Sequence, residues 1–296
     1  MATVSITLTL EEIENLKNQY PDAKFCKTPP YAYYQFKLSD CTITAYNSKK
    51  VVFQGEGANF HASSYQPDIQ VSPIQSFPTN SYPQCGSDEV GTGDYFGPVI
   101  VCAAYIAKEQ VDYVRSLNVQ DSKNISDSMI RKIGGELKKR IPHSLLIVDN
   151  AKYNEVHPSN NMVAMKAKLH NKAYVHLQNK IGSLPKLCIV DQFVQESSYY
   201  RYLQQEPQVI QNLHFETKAE SKYLAVATAS IIARYTFLKV FDAMEKHYNF
   251  NFPKGAGKNV DESIPLFIKI HGKNELKKVA KLHFANTTKA GVLPSI

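Results

Sequence analysis

The 296-residue chain contains no tryptophan and only five cysteines: Cys26, Cys41, Cys85, Cys102 and Cys188. Their number is odd and no two form a CxxC pair, which argues against a disulfide framework or a thiolate zinc site and predicts reduced thiols. No uninterrupted apolar run approaches the roughly 18 residues that a membrane span needs, so no membrane partner is expected. Glu11, Glu12 and Glu14 stand where a secretory leader needs an apolar stretch, and the expected location is cytoplasmic. Nine histidines show neither HExxH nor any other paired spacing. They read as structural or surface residues rather than as ligands or bases. Internal repeats and low-complexity tracts are absent as well.

A 43% hydrophobic fraction supports a substantial core, in one large domain or two smaller ones. The net charge is +7 and unevenly spread. Residues 1–70 hold six lysines, no arginine and seven acids, which leaves 28 basic and 20 acidic residues beyond them. A basic body of this kind suits a polyanionic partner.

The N-terminal pattern predicts a small α+β unit over residues 1–60. Val4, Ile6 and Leu8 alternate as in a strand, and Thr9 and Glu12 form a T-x-x-E capping box. Leu10, Ile13 and Leu16 then give a helix its core face. Strand-like runs follow at 31–38, 41–47 and 49–54. Ala32, Tyr34, Phe36, Leu38, Ile43 and Ala45 are expected to face the helix. Tyr31, Tyr33, Gln35, Lys37, Thr42, Thr44 and Tyr46 are expected to face outward, a surface suited to stacking and hydrogen bonding with nucleic acid. Residues 61–82, rich in Ser, Pro, Gln and Asn, read as a linker. From 83 to 296 strands (97–106, 143–149, 186–191, 209–216) alternate with helices (109–117, 126–140, 160–181, 219–247), which predicts a mixed sheet covered by helices.

The chemistry concentrates in Cys85-Gly-Ser-Asp88-Glu89-Val-Gly91-Thr92-Gly93-Asp94-Tyr-Phe-Gly-Pro98. Adjacent carboxylates repel unless a cation or hydrogen-bond donors neutralise them. Glycines flanking Thr92 let backbone N–H groups approach a ligand. A second candidate is Asp191, ending the apolar run Leu187–Val190, with Asp149 at the end of Leu145–Val148 as its competitor. A third is Glu220, ahead of the small-residue stretch Ala225–Arg234, with Glu216 as the fallback. Carboxylates without His or Cys partners select hard cations, Mg²⁺ or Mn²⁺.

The Asp88–Pro98 string resembles the signature of the type 2 ribonucleases H, and in its ribonuclease HIII form in particular. The sister ribonucleases HII carry a basic residue where this chain has Thr92. The resemblance runs from about residue 83 to the C-terminus. It implies a ribonuclease H-like mixed sheet flanked by helices, with a small N-terminal α+β domain resembling the TATA-binding protein as the substrate-binding module. It implies an endonuclease cutting the RNA strand of an RNA–DNA hybrid with two divalent ions, and a monomer is expected. Asp88, Glu89, Asp191 and Glu220 align with the family's metal-site acids, although glutamate at 220 departs from the aspartate usual in ribonuclease HII. Gly91, Thr92 and Gly93 are expected to read the 2′-hydroxyl. Ser122 and Lys123 of Asp121-Ser-Lys, together with Lys218, Arg234, Lys166 and Lys168, are expected at phosphates. Tyr31, Tyr33, Lys37 and Tyr46 would supply the N-terminal platform. Two other readings stay open: cleavage at single ribonucleotides in DNA, and non-catalytic RNA binding.

Overall fold

The Thr9 hydroxyl accepts a hydrogen bond from the Glu12 amide (3.2 Å), and the Glu12 carboxylate accepts one from the Thr9 amide (2.7 Å). The predicted capping box therefore starts the first helix. The computed structural model describes residues 2–20, 23–38, 41–55, 57–63, 65, 78–119 and 125–292. The chain divides into two units, Met1–Ser76 and Phe77–Ile296.

The first unit contains β1 (Ala2–Thr7), α1 (Leu10–Asn18), β2 (Lys24–Phe25), β3 (Ala32–Lys37), β4 (Cys41–Tyr46), β5 (Lys50–Gly55) and α2 (Ala58–Ser63). Its antiparallel sheet has the order β1-β5-β4-β3-β2. Ile13 and Leu16 of α1 share a core with Tyr34, Phe36, Ile43, Ala45 and Phe53, as the alternation predicts. Four details differ from the expectation. Leu10, expected on the core face of α1, lies at its first turn and is 51% exposed. The register shifts between Ala32 and Tyr34, so Tyr33 sits at a bulge, and Tyr31 precedes the strand with φ +62°. Thr44, expected outward and open, is only 1% exposed, because Gln35 opposite it on β3 folds over and donates to its hydroxyl (2.8 Å). Finally, α2 begins ahead of the expected linker and runs into it, burying Ala58 and Ala62 in the same core.

The second unit contains β6 (Gln84–Val90), β7 (Val99–Ile106), α3 (Val111–Ser116), α4 (Asp127–Arg140), β8 (His143–Val148), α5 (Asn150–Val156), α6 (Met162–Ile181), β9 (Leu187–Asp191), α7 (Glu196–Tyr202), β10 (His214–Glu216), α8 (Leu224–Tyr248), α9 (Lys258–His271), α10 (Lys273–Val279) and α11 (Ala285–Lys289). Its sheet has the order β10-β9-β6-β7-β8. The β6–β7 and β7–β8 pairs are antiparallel, and the β6–β9 and β9–β10 pairs are parallel. The C-terminal ends of β6, β8, β9 and β10 therefore lie along one edge.

Strand β6 is the element the sequence hides, since Gly86 and Ser87 interrupt any apolar run. Gly86 is needed there: a Cβ on it would lie 2.3 Å from the backbone nitrogen of Val226, so α8 rests directly on the strand. The small residues Ala225, Ala229 and Ala233 are buried and permit that approach. Helix α8 is long and apolar enough to cross a membrane by length and composition, but 72% of that window is buried and it serves as the core helix. Helix α4 joins it on the same side, capped by Ser126 and burying Ile130, Ile133 and Leu137 as predicted. Helix α6 covers the opposite face, with Ala167, Tyr174 and Leu177 against Cys85, Val101 and Ala103. None of the five cysteines is in a disulfide.

Candidate active site

Successive side chains of a strand point to opposite faces. Asp88 and Glu89, adjacent near the end of β6, therefore diverge, Asp88 toward α8 and Glu89 toward α6. On the α6 side, Glu89 accepts from His170 Nε2 (2.9 Å) and forms an ion pair with Lys166. Burial works to raise its pKa, but the His170 hydrogen bond and the Lys166 charge outweigh burial and hold it below the usual carboxylate range. Asp88 has the opposite balance. Burial and then the Glu89, Asp191 and Glu220 charges push its pKa well up, against a lowering contact from the Ser230 hydroxyl.

Asp191 ends β9, immediately beside β6, where Ser87 pairs with Val190. Its Oδ1 accepts from the Ala219 amide (2.8 Å) and so anchors the short 3-10 turn Ala219–Ser221. That turn brings Glu220 inward, buried to 4% exposure, with Ser230 Oγ 3.3 Å from its Oε2. The turn also corrects the expected helix over 219–247, which begins only at Leu224.

The competing acids stand on the same edge but are otherwise engaged. Asp149, after β8, caps α5 by accepting from the Lys152 amide (2.8 Å). Glu216, opposite Asp191 on β10, pairs with Lys222 and lies 3.5 Å from His214. Four carboxylates thus act on one another electrostatically around Asp88. Among the described residues, no three of these groups close to ion-binding distance. The buried excess of negative charge fits a hard divalent cation, which would offset the repulsion that raises Asp88.

Beyond β6 the chain turns at Gly91, whose φ is +88° and whose added Cβ would lie 2.1 Å from the Pro98 carbonyl. Only glycine fits there. A Cβ on Gly93 would meet nothing within 4 Å, and Thr92 is half-buried beside it. The loop is held from below by Lys281, whose fully buried ammonium donates to the carbonyls of Asp94 (2.7 Å) and Gly97 (2.6 Å).

The expected phosphate contacts fare unevenly. Lys218 is exposed beside the 3-10 turn, with φ +55°. Arg234 pairs with Asp127 at the start of α4 (2.7 Å), and Lys168 lies 3.5 Å from Glu206. Lys166 grips Glu89 and lies over the Phe193 ring (4.0 Å). Ser122 and Lys123 lie outside the described residues. In the first unit Tyr31 is 83% and Tyr33 47% exposed, Lys37 is exposed, and Tyr46 is half-buried. Ser87, His170, Ser230 and Lys281 escape sequence reasoning. Each is a common residue without a spacing signal. Ser87 adjoins Asp88 in the sequence but its role shows only through His170, and only the fold brings the other three to the carboxylates or their loop.

A mixed five-stranded sheet with acids gathered where β6 and β9 end defines a nuclease of the ribonuclease H type. A family profile described as ribonuclease HII matches residues 85–287, and one described as a domain of unknown function (DUF3378) matches residues 3–76. The ribonuclease HIII of Bacillus mycoides (strain KBAB4) is 44% identical over 295 residues, covering 94% of each chain. The crystal structure of Bst-RNase HIII in complex with Mn²⁺ superposes with a TM-score of 0.70 at 36% identity, covering 98% of both chains. The fold is shared with Aquifex aeolicus RNase H3 (TM-score 0.57, 23% identity, 95% of this chain and 99% of that one). The chain belongs to the type 2 ribonucleases H, the family of ribonucleases HII and HIII, and is a metal-dependent endoribonuclease.

Proposed function

We propose that this enzyme hydrolyses the RNA strand of RNA–DNA hybrids, with Asp88, Glu89, Asp191 and Glu220 holding two divalent ions, Mg²⁺ or Mn²⁺. The observation that carries the reading is the buried Asp88 at the end of β6, with Asp191 on the neighbouring β9 and Glu220 carried in by the 3-10 turn. Burial and then the Glu89, Asp191 and Glu220 charges push the Asp88 pKa up. When bound, the ions supply activation of a water and charge stabilisation for in-line displacement at phosphorus, leaving 5′-phosphate and 3′-hydroxyl ends. The chain's own residues place these acids. Strand β6 presents two acids to opposite faces, β9 sets Asp191 beside them, and the 3-10 turn carries Glu220 in. Gly93 leaves the loop open just beyond the buried Gly91, so that backbone groups of Gly91, Thr92 and Gly93 can meet a 2′-hydroxyl there. The exposed Tyr31, Tyr33 and Lys37 of the first unit form a sequence-tolerant platform for the duplex.

Labelled substrates test the reading: a continuous hybrid and a DNA duplex with one ribonucleotide, each in Mg²⁺ and in Mn²⁺, with the product ends mapped. Multiple cuts in the hybrid, leaving 5′-phosphates, are expected. Cleavage confined to the single ribonucleotide would instead make the enzyme functionally a ribonuclease HII. No metal-dependent cleavage of either would leave RNA binding alone.

A further inference from the structure

Ser87 and Glu89, two apart on β6, share the face that meets α6, and one side chain bridges them. His170 is fully buried, with Nδ1 2.8 Å from Ser87 Oγ and Nε2 2.9 Å from Glu89 Oε2. A carboxylate only accepts, so Nε2 donates to Glu89, while Nδ1 is hydrogen-bonded to the Ser87 hydroxyl. Both ring nitrogens are thereby held by the strand that bears Glu89. One helical turn earlier, Lys166 engages the other Glu89 oxygen. Phe193, two residues after Asp191, stacks near both, with its ring 5.2 Å from the His170 ring and 4.0 Å from the Lys166 ammonium. Each Glu89 oxygen is therefore gripped from α6 while keeping a further lone pair for a ligand.

Resting on the reading of Glu89 as a metal ligand, we propose that His170, oriented by Ser87, is a positioning residue that sets the Glu89 carboxylate for a divalent ion. A buried histidine with both nitrogens satisfied would ordinarily serve packing alone. Here both partners lie on β6, and one of them is an acid at the active edge. Outer-shell hydrogen bonds of this kind fix ligand orientation, and losing one typically costs about 10–100-fold in metal affinity.

Calorimetric titration of the metal-free full-length protein with Mn²⁺, in the absence of nucleic acid, tests the proposal. His170→Leu should weaken Mn²⁺ binding by about 10–100-fold. His170→Gln, which can still donate to Glu89, should recover most of the affinity, and Ser87→Ala should show an intermediate loss. Hybrid binding in EDTA should match the wild type in all three. Glu89→Gln is run alongside: if it binds Mn²⁺ normally, the ligand reading itself fails. If Glu89→Gln loses binding while folded His170→Leu and Ser87→Ala keep wild-type affinity, the positioning role is overturned and His170 serves packing. Should His170→Leu not fold, the Ser87→Ala and His170→Gln affinities decide on their own: equality of both with wild type overturns the proposal, and a graded loss supports it.

Discussion

Four strands of the second unit end in an acid at or near one edge of the sheet, and the centre and flanks use those acids differently. At the centre, Asp88 on β6 and Asp191 on β9 lie against the Ala-rich start of α8 and the 3-10 turn, where burial and like charges raise Asp88. At the flanks, Asp149 after β8 caps a helix and Glu216 on β10 is neutralised by Lys222. The local sequences are alike, Ile-Val-Asp in both Leu145–Asp149 and Leu187–Asp191. What distinguishes them is sheet position. A central strand has neighbours on both sides that bring a second acid into range, whereas an edge strand ends beside solvent and the next helix.

The sharpest way to break this comparison is to neutralise each acid in turn. Asp88→Asn and Asp191→Asn should lower kcat/KM on a hybrid by about a thousandfold or more, equivalent to roughly 4 kcal/mol of transition-state stabilisation. Asp149→Asn should leave kcat/KM within about twofold and keep stability, since Asn caps a helix as well as Asp. A large loss in Asp149→Asn with none in Asp191→Asn would invert the assignment of centre and edge.

The next largest effect separates residues four apart. Glu220→Gln should cost about a hundredfold in kcat, while Glu216→Gln, losing only a half-exposed pairing, should change it little. Steady-state kinetics of the two variants at saturating Mg²⁺ decide this, and the reverse result would move the fourth ligand to β10.

Much of this arrangement was legible beforehand. The capping box of α1, the Ser126 cap of α4 and the alternation of β3 and β4 are local, so propensity and period reveal them. The adjacency of Asp88 and Glu89 and the small-residue pattern of α8 also stand in the sequence. Three things did not. Strand β6 hides because contact with α8 demands Gly86, and glycine weakens a strand pattern. The histidine reading missed His170 because its partners lie more than eighty residues away. The phosphate expectations for Lys166 and Arg234 failed to foresee that nearby carboxylates, Glu89 and Asp127, would engage them.

A smaller effect sharpens the comparison by asking whether the first unit contributes binding without chemistry. Replacing Tyr33 and Lys37 together by Ala should weaken hybrid binding by about 1–3 kcal/mol, the range for a lost stacking contact, with kcat unchanged. Both side chains are exposed and outside the core that α1 covers, so thermal stability should not move. Fluorescence anisotropy in EDTA measures the affinity, and an unchanged Kd would remove the sheet face from the substrate path.

The smallest effect concerns stability, and there the comparison should run opposite to activity. A carboxyl whose folded pKa lies above its unfolded value, about 3.9, binds more protons folded than unfolded. Stability therefore falls as pH rises through the interval between the two values, and at neutral pH Asp88 opposes folding of the metal-free protein. Glu89, held low, contributes the other way: its stabilisation is present at neutral pH and lost as pH falls. It is common to wild type and Asp88→Asn, so it largely cancels between them. In EDTA, Asp88→Asn should therefore melt a few degrees above wild type at pH 7, consistent with about 1 kcal/mol for removing an active-site strain. The gap should shrink toward zero near pH 4. Adding Mn²⁺ should close it from the other side, because binding to the folded state stabilises wild type more than a variant lacking one ligand. Asp149→Asn should show no such gap at any pH. Equal melting temperatures for wild type and Asp88→Asn in EDTA at pH 7 would mean that the central acids are already neutralised by the protein itself, and the contrast between centre and edge would lose its electrostatic basis.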